Sequence, residues 1–104
     1  MSGDAPLGTF EEQVLLAILR TREEAFGMAV RREIERVTGR DVAIGAVYAT
    51  LDRLEAKGLI TSDRTGSPSG RRVFRVTRRG AAALAESRAM RERLWRGVDV
   101  RELL

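Results

Sequence analysis

One stretch of this chain, residues 44–60, constrains its fold more strongly than any other. Its apolar residues recur at the spacing of one buried stripe on an α-helix, at Ile44, Val47, Leu51 and Leu54. Gly58 follows where a helix commonly ends in a left-handed residue. A β-like run begins at Leu59. The stretch therefore predicts a helix over residues 44–57 that turns directly into a strand.

The side of this helix opposite the stripe carries little bulk. At about 100° per residue, that side consists of Gly45, Ala46, Ala49, Arg53 and Ala56, with Thr50 and Asp52 on its flanks. A helix with so lean a face fits deep in a groove, and the major groove of DNA admits an α-helix. An ordinary Ala-rich surface helix is the alternative interpretation.

The length of 104 residues predicts one domain with a short appended element. The chain contains no cysteine and no histidine, which excludes disulfides, Ser-His-Asp and Cys-His catalysis and the usual zinc sites. It also lacks a run of 18 apolar residues and a phosphate-binding glycine loop. We therefore expect a cytoplasmic protein that is not an enzyme, with no catalytic residues, no metal, no cofactor and no membrane contact.

The positive charge is concentrated in one segment. Residues 64–79 contain six arginines and no acid, whereas the rest of the chain carries 13 basic and 15 acidic groups. The whole excess of +4 therefore lies in this segment, which predicts a phosphate-rich partner. A solvated basic hairpin without a partner is the alternative.

Two shorter helices are predicted before residue 44. The first begins at a capping box in which Thr9 is the N-cap and Glu12 reaches back to it, and it runs to about Arg22. The second spans residues 26–38 and ends at Gly39. On its polar face we expect Glu35 and Arg36 to form ion pairs, with Arg31 or Arg32 as a candidate phosphate contact. Three helices joined by tight connections have the order of a helix-turn-helix unit.

A basic hairpin follows these helices. Residues 59–65 and 71–77 have the pattern of two strands, and the Gly/Ser-rich residues 66–70 lie between them. Alternation predicts that Phe74 and Val76 pack on the helices, that Arg71 and Arg75 point outward, and that Arg72 lies near the tip. The fold class is therefore α+β, mainly α: a winged helix-turn-helix of three helices and a two-stranded β-wing. A Gly/Ser tip between arginines suits insertion along the DNA backbone or into the minor groove.

A fourth helix is predicted to start at Thr77, which caps it. Its apolar stripe comprises Leu84, Met90, Leu94, Trp95 and Val98. Because the domain is complete without this helix, we expect the stripe to pack against the same helix of a second copy and against the first helix from Phe10 onward, giving a C2 homodimer. Packing back within a monomer is the alternative. The predicted organisation is a disordered leader (residues 1–7), a DNA-binding domain (8–76) and a C-terminal dimerisation helix with a tail (77–104).

These residues resemble the PadR family of bacterial transcriptional regulators. The similarity lies in three segments: Phe26-Gly27 with Arg32-Glu33-Ile34; the run from Gly45 through Tyr48 and Leu54-Glu55 to Gly58-Leu59-Ile60; and Gly70-Arg71-Arg72 through Phe74-Arg75-Val76-Thr77 to Arg79-Gly80. The resemblance covers roughly residues 8–90. The short C-terminal part is similar to the smaller subgroup, which has one dimerising helix in place of a larger effector domain.

The resemblance implies a homodimeric repressor that binds a pseudo-palindromic operator in double-stranded DNA, and in some members a small aromatic or drug-like effector releases the DNA. It implies a DNA contact for Tyr48, although the helical angle also allows a boundary residue whose hydroxyl meets a phosphate. Many relatives have Thr and Pro where this chain has Ala46 and Ala49. That departure leaves Thr50, Arg53 and contact with thymine methyls for base readout.

The sites expected from the sequence are as follows. The DNA-binding residues are Ala46, Tyr48, Ala49, Thr50, Arg53, Arg71, Arg72 and Arg75. The dimer interface comprises Phe10, Leu84, Met90, Leu94, Trp95 and Val98. Asp52 pairs with Arg53 or another nearby arginine, or accepts from a cytosine amine. Trp95 either packs in the interface or stacks on a planar ligand. The alternative function is a winged-helix module that binds a protein through the lean helix face.

Overall fold

A computed structural model describes residues 6–64 and 70–104. The helices are α1 (Thr9–Thr21), α2 (Gly27–Thr38), α3 (Ile44–Ala56) and α4 (Arg78–Trp95), and the strands are β1 (Ile60–Asp63) and β2 (Val73–Val76). Single 3-10 turns lie at Arg22–Glu24 and Arg101–Leu103. Most of the predicted hairpin tip (65–69) and of the leader (1–5) lies outside the described residues. In the part of the chain that is described, no helix is long and apolar enough to cross a membrane.

The two strands form the antiparallel wing that the sequence predicts. Ile60 lies opposite Val76, and Ser62 lies opposite Phe74. The backbone N–H of Phe74 also donates to the carbonyl oxygen of Ala25 over 2.8 Å, so the chain just before α2 pairs with the outer side of β2. The winged-helix fold class is thereby confirmed, and the wing (β1, β2 and the loop between them) is tied to the helices through its backbone.

The core lies where α1, α2 and α3 meet the inner side of the wing. Its fully buried side chains come from every one of these elements: Val14, Leu15, Val30, Val47, Leu51, Leu54 and Phe74. The buried positions on α3 follow the stripe that the sequence predicts. Phe74 is completely buried, as the strand alternation predicts, while Arg71 and Arg75 are exposed.

Most of the helix ends that the sequence predicts from capping residues are confirmed in the structure. Gly39 and Gly58 have φ values of 71° and 77°, so both adopt the left-handed conformation that glycine favours after a helix. The hydroxyl of Thr77 accepts from the Gly80 N–H over 3.1 Å, which confirms the predicted cap of α4.

The predicted capping box of α1 is wrong by one residue. The N-cap is Gly8 rather than Thr9, and the Gly8 N–H donates to Oε1 of Glu11 over 3.0 Å. Glu11 is the N3 residue of a helix whose N-cap is Gly8, and its other carboxylate oxygen lies 2.8 Å from Lys57 Nζ. Glu12 instead pairs with Arg91 on α4.

Ion pairs line the polar face of α2, as expected. Arg31 Nε lies 3.6 Å from Glu35 Oε2, and Arg36 Nη2 lies 2.7 Å from Glu33 Oε2. Arg31 Nε also donates to the carbonyl oxygen of Val42 over 2.8 Å. Arg31 therefore holds the connection between α2 and α3, which leaves Arg32 as the exposed cation of that pair.

The fourth helix is buried against the other elements only up to Ser87, and beyond it Arg91 forms an ion pair with Glu12 of α1. Gly80 is buried, and a Cβ atom there would overlap the carbonyl oxygen of Leu59. The Thr77 hydroxyl donates to the Gly58 carbonyl over 2.8 Å. The last buried residue of α4 is Ser87, so the rest of the helix extends beyond the core.

Candidate nucleic-acid interface

The outer face of α3, defined by Gly45, Ala46, Ala49, Arg53 and Ala56, is exposed along its whole length. It faces outward because the opposite stripe packs on the core, with Val47, Leu51 and Leu54 fully buried and Ile44 partly buried. A Cβ atom added at Gly45 would meet nothing within 4 Å. The result is a smooth helical surface with one long cationic side chain, which has the dimensions required to enter a DNA major groove.

Thr50 does not belong to this exposed surface. Only 2 % of the residue is accessible, and its hydroxyl accepts a hydrogen bond from Arg53 Nη2 over 3.0 Å. The expected base contact by Thr50 does not fit this position, because its side chain packs on the core edge of α3. Its hydroxyl instead holds the Arg53 guanidinium beside the outer face.

A buried acid joins the end of α3 to the start of α1. Lys57 Nζ lies 2.8 Å from Glu11 Oε2. Burial raises the pKa of Glu11, but the hydrogen bonds from Lys57 and Gly8 and the charges of Lys57 and Arg53 outweigh it, so that the pKa lies below 4.5. Glu11 therefore stays ionised at neutral pH and fixes the C-terminal end of α3.

Tyr48 lies on the opposite edge of α3, where its ring covers Gly27 at the start of α2. A Cβ atom at Gly27 would be 2.5 Å from both Cζ and the hydroxyl oxygen of Tyr48. Glycine is thus required at residue 27 for the ring to lie flat on the helix start. Tyr48 is 42 % exposed, which is the boundary position that its helical angle predicts.

A hollow of about 340 Å³ opens beside Tyr48. We call it the basic hollow, and its lining residues come from α2, α3 and the wing: Phe26, Gly27, Met28, Arg32, Tyr48, Arg64, Arg71 and Arg72. The Arg71 guanidinium lies 4.6 Å from the centre of the Phe26 ring, a cation–π contact. Cations from α2 and from the wing therefore converge beside Tyr48, at the edge of α3.

Arg72 differs from the other arginines that line the basic hollow because two acidic side chains lie within ion-pair distance of its guanidinium. Its Nη2 lies 2.6 Å from Glu55 Oε1, and its Nη1 lies 3.7 Å from Asp52 Oδ1. This confirms the expectation that Asp52 pairs with an arginine near α3. The predicted direct DNA contact by Arg72 has less support, since the side chain points toward α3 rather than away from the wing.

Arg75 lies on the exposed side of β2 opposite Thr61 and is not part of the basic hollow. The structure thus brings together Tyr48, Arg71 and Arg72 of the predicted DNA-binding set, and places Arg75 elsewhere on the wing. Ala46 and Ala49 lie on the outer face of α3.

The residues expected at the dimer interface fall into two groups. Phe10 and Leu84 are partly buried against the core. Met90, Leu94, Trp95 and Val98 are exposed, with Leu94 at 71 % and Trp95 at 57 %. The apolar stripe of α4 is therefore covered at its start and open at its end.

A second hollow, of about 320 Å³, lies between α1 and α2. Its lining includes the exposed apolar side chains Leu16, Leu19 and Val37. The one arginine in its lining, Arg20, is paired with Glu33 at 2.6 Å. Because Glu33 balances the charge of Arg20, this apolar groove lacks the excess of positive charge that marks the basic hollow.

Sequence reasoning missed three contributors to the basic hollow and its supports. The sequence assigns Phe26 to the second helix and Phe26-Gly27 to the family resemblance, and nothing local indicates that these residues meet Arg71 and Tyr48. Glu55 carried a detectable signal, because it lies three residues after Asp52 and so shares an edge of α3 with it. Two acids on one edge, followed by a basic hairpin, are a pattern that predicts a helix–wing ion pair.

Comparison with known proteins agrees with this architecture. The model of the transcriptional regulator PadR-like family matches residues 15–86, from α1 to the first half of α4. Transcriptional regulator Rv3488 of Mycobacterium tuberculosis is 43 % identical over 76 residues, which cover 72 % of this chain and 70 % of that protein.

Solved structures show the same fold. RosR of H. salinarum has a TM-score of 0.73 at 24 % identity, covering 92 % of this chain and 84 % of that one. A PadR family transcription regulator of Clostridium difficile R20291 has a TM-score of 0.56 at 24 % identity, covering 84 % and 88 % of the two chains.

Proposed function

Since the chain belongs to the PadR-like family of transcriptional regulators, we propose that it binds double-stranded DNA through the outer face of α3 and the basic hollow. The observation that carries this proposal is the convergence of Arg32, Arg64 and Arg71 beside Tyr48, at the edge of the helix whose outer face is exposed and bare. In this proposal α3 enters a major groove while the arginines of the hollow meet the phosphates that border it.

The residues of this surface divide by chemistry. Arg53 is the long polar side chain on the outer face, and it hydrogen-bonds to guanine O6 and N7. Ala46 and Ala49 contact thymine methyl groups. Tyr48 and Arg71 contact phosphates, and Arg75 contacts the backbone farther along the wing. Thr50 and Arg72 act as supports in this proposal, because one is buried and the other is paired with acids.

The proposed regulator is a homodimeric, cytoplasmic repressor that binds a pseudo-palindromic operator. Support for the dimer comes from the exposed apolar end of α4, since Leu94 and Trp95 are half exposed or more. Two copies joined along this stripe by a two-fold axis would present two α3 helices to half-sites about 34 Å apart or a multiple of it.

We propose further that a small aromatic or drug-like effector stacks on Trp95. The support is the 57 % exposure of this ring on the helix proposed to join the two copies, where planar molecules find an aromatic partner. Titration of aromatic compounds should quench Trp95 fluorescence to saturation, and unchanged fluorescence would contradict the effector.

The test of DNA binding begins with selection of bound duplexes from a randomised pool. We expect the full chain to shift the selected duplex, with an affinity that falls steeply as salt rises because phosphate contacts release counterions. Arg53→Ala should lower the discrimination between selected and random duplexes by about 1–3 kcal/mol. Arg71→Ala should weaken both duplexes alike.

Two outcomes would contradict the proposal. Failure to enrich or bind any duplex at low salt would favour the protein-interaction module. A loss in Arg71→Ala that is confined to the selected duplex would contradict a phosphate contact for Arg71.

A further inference from the structure

We propose that Arg72 is a positioning residue that locks the wing onto α3 through Glu55 and so sets the angle between the two halves of the DNA-binding surface. This inference rests on the proposed function, because it assigns a positioning role to one residue of the same DNA-binding surface. It separates Arg72 from its neighbour Arg71, although the two arginines are adjacent in the sequence.

A closed ring of hydrogen bonds carries this inference. Arg72 Nη2 donates to Glu55 Oε1 over 2.6 Å, and Arg72 Nε donates to Ser62 Oγ over 3.1 Å. The Ser62 hydroxyl in turn donates to Glu55 Oε2 over 2.9 Å. Because Ser62 lies on β1 and Arg72 lies at the start of the return strand, one carboxylate of α3 holds both sides of the wing.

The surroundings of Arg72 strengthen this lock. Its guanidinium lies 4.9 Å from the centre of the Phe74 ring, which is fully buried. The side chains of Arg72 and Glu55 are only 33 % and 34 % exposed, so water and salt screen this pair less than a fully exposed one. The Ser62 hydroxyl accepts from Arg72 and donates to Glu55, and hydrogen bonds linked in such a chain strengthen one another.

Arg71 provides the contrast. Its side chain is exposed and rests on Phe26; a phosphate can approach it without breaking an ion pair. A phosphate that approached Arg72 would have to compete with Glu55 and Ser62. The geometry therefore assigns the phosphate contact to Arg71. Arg72 instead positions the strand that carries Arg71.

The sharpest test compares two acids on the same edge of α3. Glu55→Gln and Asp52→Asn each remove one negative charge close to the DNA, so electrostatics alone predicts tighter binding for both. Asp52 is 69 % exposed and lies 3.7 Å from Arg72, so Asp52→Asn should show only this gain. Glu55→Gln should instead weaken binding of the selected duplex by about tenfold, the loss expected for one charge-assisted hydrogen bond.

Salt dependence separates positioning from contact. Arg71→Gln should reduce the slope of log affinity against log salt by about 0.9, the value for one phosphate contact. Arg72→Gln should weaken binding without changing this slope. The double variant Glu55→Gln/Arg72→Gln should lose no more affinity than the single variant with the larger loss, because both substitutions break the same contact. Tighter binding by Glu55→Gln, or a slope reduced in Arg72→Gln as in Arg71→Gln, would overturn the inference.

A readout without DNA keeps this inference distinct from the proposed function. If the wild-type chain binds no duplex, the proposed function fails, and amide hydrogen exchange of β1 and β2 then tests the lock. Exchange in both strands should be faster in Glu55→Gln and Arg72→Gln than in Asp52→Asn, with α1 and α2 unchanged as the folding control. Equal exchange in all three variants would overturn the inference.

Discussion

Two regions of this molecule differ in how they cover their apolar side chains. In the body, formed by α1, α2, α3 and the wing, residues such as Leu51 and Phe74 are fully buried. In the last turns of α4, Leu94 and Trp95 remain largely exposed. The same face of α4 is involved, because Leu94 lies seven residues, or about two turns, after the buried Ser87.

The body therefore buries its own apolar side chains, whereas α4 extends beyond the surface that the body can cover. The part of α4 up to Ser87 contributes to the fold through Gly80 and Ser87, which are both buried. The rest of α4 exposes the apolar side chains of Met90, Leu94 and Trp95. Substitutions in the two regions should therefore be separated by their dependence on protein concentration.

The largest expected effect is in the body. Phe74→Ala should lower the free energy of unfolding by about 3–5 kcal/mol, because it removes a fully buried aromatic ring where the wing meets the helices. Urea denaturation at several protein concentrations measures this loss, which should be similar at each. Leu94→Ala is the control, and at the lowest concentration it should change stability by less than about 0.5 kcal/mol. A loss below about 1 kcal/mol for Phe74→Ala would mean that the wing is not part of the core.

The next effect concerns the exposed end of α4. Trp95→Ala should raise the dissociation constant of the dimer about 30-fold, which corresponds to a hot-spot contribution of about 2 kcal/mol. Sedimentation velocity across a dilution series measures it. Ala89→Gln is the matched control, because it lies on the opposite side of α4 by helical angle. A wild-type chain that stays monomeric at high concentration, or equal constants for both variants, would contradict the proposed interface.

The smallest effect is at the surface of the body. Hydrogen bonds from Arg36 and Arg20 lower the pKa of Glu33 from 4.5 to about 2. A carboxyl group whose pKa is lower in the folded state stabilises the fold above its unfolded pKa and loses this contribution as pH falls. Wild-type stability should therefore decline between about pH 4.5 and pH 2, and Glu33→Gln should flatten part of this decline.

Urea midpoints at intervals through this pH range test the prediction for Glu33. Glu23→Gln, at an exposed acid in the 3-10 turn after α1, is the control and should keep the wild-type profile. Identical profiles for Glu33→Gln and the wild type would contradict the assigned contribution.

What the sequence predicted correctly depended on local or periodic chemistry. The stripe of α3 and the glycine after it determine where that helix is buried and where it ends, so its boundaries and its bare outer face follow from spacing. Thr77 caps α4 by the same local rule. The alternation in β2 likewise predicted that Phe74 is buried.

What the sequence did not reveal depends on partners that are distant along the chain. Gly8 rather than Thr9 is the N-cap of α1, which places Glu11 instead of Glu12 at N3, and the ion-pair partner of Glu11, Lys57, lies 46 residues later. Strand alternation places Arg71 and Arg72 on different sides of the wing, but only the fold shows that Glu55 lies beside Arg72. Thr50 is at the edge of the stripe, where a small rotation of the helix separates a buried side chain from an exposed one.

The most direct measurement of whether α3 and the wing act as one DNA-binding surface is a titration of the isotope-labelled chain with its selected duplex, followed by amide NMR. The largest shift changes should fall together on the outer face of α3 and on residues 71–75, with the apolar groove around Leu16 and Val37 unchanged. Changes concentrated in that groove, or on α3 without the wing, would contradict a joint surface.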